Sequence, residues 1–163
     1  MKQKTKENLK KSLCILLSVM TIVTTVPIAS IIMVMYESPI TAKAETISSG
    51  EYEYSIISET ENEKAVELTD YNGTESEVAV PSEIDGYRVA GLRGTFSGNK
   101  YVKNVIVPEG VCYIEKNTFY SLSNELSVTL PETLEYIGQN AFKKTVIGSM
   151  NFPQGLLAVA DFA

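Results

Sequence analysis

Leu130-Pro131-Glu132-Thr133-Leu134 is the stretch closest to a known chemical signal. A cysteine transpeptidase cuts after threonine in an LPxTG signal and joins the new carbonyl to a cell-wall amine. That signal needs glycine after threonine, then an apolar tail with a basic end. Leu134 stands in the glycine position, and residues 135–163 hold no such tail. Cys112 is the other candidate for covalent chemistry. A nucleophilic thiol needs a neighbouring base or a helix N-terminus to lower its pKa. The chain has no histidine, which excludes imidazole catalysis and histidine-ligated metal. Cys112 therefore reads as a partly buried structural thiol. Glu59, Glu61, Glu63 and Asp70 supply carboxylates, but a calcium loop spaces its ligands around a glycine, and that spacing is absent. They read as a solvated turn. Glycoside chemistry would need two carboxylates held about 5–9.5 Å apart in a cleft, which a narrow repeat does not offer. Asn72-Gly73-Thr74 fits a glycosylation acceptor pattern and nothing more. No catalytic residue, no cofactor and no metal site is expected, and an enzyme is not the expected reading.

The elements around these residues explain them better. VPEGVCYIEKNTF at residues 107–119 and LPETLEYIGQNAF at residues 130–142 are one phrase written twice, 23 residues apart. Such self-similarity marks a repeat architecture. Val80-Pro81, Val107-Pro108, Leu130-Pro131 and Phe152-Pro153 start four units, spaced 27, 23 and 22 residues. A short strand precedes each proline, where the missing N–H is tolerated. Alternation sends the first and third strand residues inward and the middle one outward. Val105, Val128 and Met150 are then expected one above another, about 4.8 Å apart. Phe96, Phe119 and Phe142 should form a second stack. Val111 with Ile114, Leu134 with Ile137, and Leu156 with Val159 mark a second apolar segment in each unit. The first unit carries an apparent inserted loop at residues 84–89. One unit cannot bury its own apolar stripe, whereas stacked units can.

The outward middle residues Ala79, Ile106, Thr129 and Asn151 form the expected binding ladder, with Tyr101, Tyr113 and Tyr136 as nearby aromatic tips. Solenoids commonly use such extended faces for macromolecules.

The phrase apolar-P-x-x-[VL]-x-x-I-x-x-x-[AT]-F resembles the BspA-type leucine-rich repeats of bacterial surface proteins. The opening VPSEIDGYRVAGLRGTF is similar to the first repeat of many of them, which follows a small β cap. The resemblance covers about residues 76–163. It implies a mainly β repeat solenoid of short leucine-rich-repeat coils with parallel short strands. It also implies a secreted or surface-displayed protein that adheres to host or microbial partners.

Before the repeats, residues 51–70 read as a β-hairpin, with Tyr52, Tyr54 and Ile56 on one face. Residues 45–50 read as a flexible lead-in, so the cap is expected over residues 45–77 and the repeats over 78–163, the last one incomplete. Residues 1–44 read as an export signal: clustered lysines, an apolar run over residues 13–36, then Thr41-Ala42-Lys43-Ala44. The A-x-A pattern places cleavage after Ala44. The 24-residue run is also long enough to span a bilayer if it is kept as an anchor. After cleavage Cys112 is the single cysteine, so no intrachain disulfide is expected. Residues 45–163 carry 8 basic and 18 acidic side chains, which argues against nucleic acid and anionic membrane as partners. Membrane contact is expected only through the N-terminal segment. The expected partner is a protein or glycan on a host or microbial surface. The alternative expectation is the exported N-terminal part of a longer surface protein.

Overall fold

The computed structural model describes residues 45–161 and 163. The expected export signal, its cleavage site at Ala44 and any membrane segment lie outside these residues. Thr46–Ala163 form one compact unit. It is a β-solenoid, and no helix occurs among the described residues.

The chain enters through three antiparallel strands: β1 (Thr46–Ser49), β2 (Tyr52–Glu59) and β3 (Lys64–Tyr71). The β2–β3 hairpin is the one the alternation indicated. The lead-in is not flexible. Residues 46–49 pair with residues 52–55 because Gly50, at φ 58°, turns the chain back on itself.

The coils follow as β4 (Glu77–Ala79), β5 (Glu83–Ile84), β6 (Tyr87–Leu92), β7 (Asn104–Ile106), β8 (Tyr113–Ile114), β9 (Leu126–Thr129), β10 (Tyr136–Ile137), β11 (Ile147–Met150) and β12 (Ala158–Val159). They build two walls. The first sheet runs β1-β2-β3-β6-β8-β10-β12, with β5 beside β6. The second runs β11-β9-β7-β4. Coil strands pair in parallel, and β3 joins β6 in parallel, so the cap continues the first wall. The expected inserted loop is a hairpin. Asp85 and Gly86, at φ 51° and 80°, make the two-residue turn that joins β5 to β6.

The core lies between the walls as three columns. Val78, Val105, Val128 and Met150 are in register in the second sheet. Leu92, Ile114 and Ile137 face them from the first. In the long turns Phe96, Phe119 and Phe142 stack at 5.4 and 5.1 Å with planes 5° and 12° apart. Tyr71 closes this spine from the cap, 5.3 Å from Phe96. Each long turn needs two left-handed residues. Gly94, Asn117 and Asn140 fill one position, and Gly98, Ser121 and Lys144 the other. Glycine and asparagine hold that conformation at least cost. The threonines before Phe96 and Phe119 tie their turns to the strand alongside: Thr95 Oγ1 donates to Leu68 O at 2.8 Å, and Thr118 Oγ1 to Leu92 O at 3.1 Å and Glu115 O at 2.8 Å. Ala141 takes the same position in the third coil.

The last coil departs from the sequence pattern. Phe152 and Val159, both expected inward, are 65 % and 55 % exposed. Among the described residues no strand lies beyond β11 and β12 to cover them.

Candidate functional site

The outer face of the second sheet is built by the period-2 pleat. With Val78, Val105 and Val128 turned inward, the residues on either side of each turn outward. One outward row is Ala79, Ile106 and Thr129, paired in register. A second, two residues upstream, is Glu77, Asn104 and Ser127, with Ser149 beside Ser127. The sequence reading missed this polar row, although the same alternation indicates it. Asn104 Nδ2 donates to Glu77 Oε1 at 3.3 Å, so the row is partly cross-linked. The two rows line a shallow groove of about 500 Å³. Ile106 stands at its middle and is 57 % exposed.

Asn151, the fourth expected member, faces another task. Its Oδ1 accepts the Leu130 N–H at 2.7 Å and its Nδ2 donates to Leu130 O at 2.8 Å. In the coils before it, Val80 N–H and Val107 N–H donate to the backbone carbonyls of Ile106 and Thr129. The Asn151 amide thus takes over the role of a backbone carbonyl, and its hydrogen-bonding groups are committed.

The three tyrosines do not gather on this face. Tyr113 and Tyr136 are paired neighbours in β8 and β10, in the opposite wall. Tyr113 is buried, and its ring lies over Gly91, where an added Cβ would come within 2.0 Å of it. Burial, followed by the nearby carboxylates of Glu67 and Glu115, pushes its phenol well above the ordinary range. Tyr101 is 51 % exposed in the long turn before β7. The expected aromatic tips are therefore divided between a wall and a turn, because alternation reports inward or outward but not which wall.

The remaining candidates are structural. Glu109 Oε1 and Oε2 accept the N–H groups of Glu132 and Thr133 at 3.0 and 3.2 Å. Glu132 Oε2 accepts the N–H of Gln154 at 3.1 Å in the next coil. Thr133 Oγ1 accepts from Gly110 N–H and donates to Val111 O, both at 3.0 Å. The LPETL segment is thus a stacked turn. Glu59 accepts the Tyr87 hydroxyl at 2.8 Å, and Glu63 pairs with Arg88 at 2.8 Å. Cys112 is half-buried, with its Sγ 3.5 Å from Gly110 O.

Comparison with known proteins agrees with this geometry. Residues 93–163 match the family model of the BspA type leucine rich repeat region. No curated protein matches the sequence. A leucine rich repeat protein of T. pallidum is similar in structure, with TM-score 0.57 and 25 % identity over 71 % of this chain and 53 % of that one. The pneumococcal vaccine antigen PcpA gives 0.51 and 18 %, over 69 % and 39 %. A leucine rich cell surface protein of Faecalibacterium prausnitzii gives 0.52 and 22 %, over 69 % and 38 %. The chain thus spans about half the length of these proteins, or less. The solenoid fold is shared with these bacterial leucine-rich repeat proteins, and residues 93–163 of this chain carry repeats of the BspA type.

Proposed function

We propose that this protein is an exported, surface-exposed binding module. It holds a protein partner of a host or microbial surface against the outer face of the second sheet, without catalysis. The observation that carries this reading is Ile106: a large aliphatic side chain, 57 % exposed, at the centre of a groove rimmed by Glu77, Asn104 and Ser127. An apolar anchor inside a polar rim is the usual anatomy of a protein interface. The face carries no aromatic ring on which a sugar could stack, which favours protein over neutral glycan. The BspA type repeats, and the structural likeness to a vaccine antigen and a cell surface protein, support display outside the cell.

The test is a panel of immobilised extracellular-matrix and bacterial surface proteins probed with the full chain. Capture that drops at least tenfold in Ile106→Asp, with an unchanged melting curve, is the expected result. A folded chain that binds no member above background refutes the reading.

A further inference from the structure

The charge on the coils is sorted by edge. Every coil crosses from the second wall to the first through a short proline turn and returns through a long phenylalanine turn. Eight basic residues occur among the described ones, and Arg88, Arg93 and Lys64 are three of them. Arg88 pairs with Glu63, Arg93 pairs with Glu67, and Lys64 sits 5.7 Å over the Tyr87 ring. The other five, Lys100, Lys103, Lys116, Lys143 and Lys144, are all exposed and all lie in the phenylalanine turns. Against them that edge presents three exposed carboxylates, Glu75, Glu125 and Asp161, since Glu115 is buried. The proline turns carry the opposite sign through Glu83, Asp85, Glu109 and Glu132.

The stacking brings the cations together. Ser121 N–H donates to Lys143 O at 2.9 Å, and Gly98 N–H to Tyr120 O at 2.8 Å, so these turns lie directly over one another. Asn124 Nδ2 donates to Lys100 O at 2.8 Å, which fixes the Lys100 backbone beside the next coil. Lys144 Nζ lies 5.3 Å from the centre of the Tyr120 ring. Tyr101 stands exposed immediately after Lys100.

We propose that this edge binds an acidic polysaccharide laid along the solenoid axis. Coils rise about 4.8 Å each, so the lysines offer a line of positive charge to a linear chain that carries repeated anionic groups. Tyr101 supplies flat apolar surface for a sugar ring. A three-residue strand alone places about 10 Å between the two edges, beyond a Debye length of about 8 Å at physiological salt. The acidic edge is therefore largely screened from a narrow ligand on the basic one. An anionic bilayer is broad and would also meet the acidic cap, so it is disfavoured. This site is separate from the Ile106 face and stands or falls independently of it.

Heparin is the probe, neutral dextran the control, and the full chain the protein. The expected results are heparin binding at 50 mM salt that weakens at least tenfold by 200 mM, as polyanion binding does, and no dextran binding. The triple variant Lys100→Gln, Lys143→Gln, Lys144→Asn should bind heparin at least tenfold more weakly, while Ile106→Asp binds as the parent does. Asparagine at 144 keeps a residue that accepts the left-handed backbone. Should the triple variant not fold, Lys100→Gln and Lys143→Gln singly carry the test, each expected to weaken binding and its salt dependence. Equal binding to dextran, absence of heparin binding, or folded lysine variants within twofold of the parent overturn the proposal.

Discussion

The rings of Phe96 and Phe119 lie 5.4 Å apart and only 5° from parallel. They belong to successive coils, so the ring of one coil is a wall of the pocket that holds the next. This makes the spine a cooperative element. Phe119 is fully buried between Phe96 and Phe142. Phe119→Ala should lower unfolding free energy by about 3–5 kcal/mol, the range for a buried aromatic. Phe152→Ala, at an exposed position, should change it by no more than about 0.5 kcal/mol. Urea melts of the two variants should differ accordingly, and superimposed curves would refute the assignment of the spine.

Gly138 lies where two coils touch backbone to backbone. A Cβ there would meet Glu115 C and Lys116 N at 2.8 Å. Neither is the end of a flexible side chain, so the coils must part. Gly138→Ala should cost about 1–3 kcal/mol, as overpacking does. Gly110→Ala is the informative contrast, because nothing lies within 4 Å of its added Cβ and its cost comes from φ 96° alone. Hydrogen exchange distinguishes the cases: Gly138→Ala should show weakened protection of the Glu115 amide, and Gly110→Ala should leave that amide unchanged.

Glu109 joins two coils by accepting both N–H groups at residues 132 and 133. Glu109→Gln keeps the shape but replaces one acceptor oxygen with a donor, which then opposes an N–H. A loss of up to about 1.5–3 kcal/mol is expected, the range for hydrogen bonds to a charged group. The same argument bears on the LPETL segment. Incubation of the folded chain with a cysteine transpeptidase and an amine nucleophile should leave it uncut, and cleavage after Thr133 would contradict the stacked-turn assignment.

Tyr54 gives the fold a defined alkaline limit. Burial, and then its 2.9 Å hydrogen bond to Asp85 and that carboxylate's charge, push its phenol up to about 12. In the unfolded chain it ionises near 10. A raised folded pKa means that the folded state holds the proton more tightly. The stabilisation is therefore complete below pH 10 and is lost as pH rises from 10 to 12, amounting to about 2–3 kcal/mol. Tyr71 and Tyr52 are raised as well, mainly by burial, and add to the same slope. Stability measured from pH 9 to 11.5 should fall, and Tyr54→Phe should flatten part of that fall while costing some stability at neutral pH. A pH-independent stability over that range would count against the buried phenols.

Much of this architecture was legible in the chain. The recurrence of Pro108 and Phe119 at Pro131 and Phe142 set the coil length. Alternation placed Val105, Val128 and Met150 in one inward column and Ile106 and Thr129 outside it, as the register has them. These are local properties, because the pleat allows side chains only two directions. Where each strand goes after a turn is not local. Tyr113 and Ile106 are seven residues apart, and both strands look alike in sequence, yet they stand in opposite walls. Only the closed coil decides this, since a proline turn reverses the chain between the walls. Asn151 makes the same point at one residue. Its period assigned it an outward position, but the hydrogen bonds available from Leu130 turned its amide back into the ladder. The sorting of charge between edges also emerged only on stacking, when lysines scattered from residue 100 to residue 144 came to lie on one side. Sequence by itself determined the period, the core columns and the repeat type, because these follow from residue pattern and backbone geometry. The tertiary structure decided which outward residues share a surface, because that depends on how turns route identical strands between two walls.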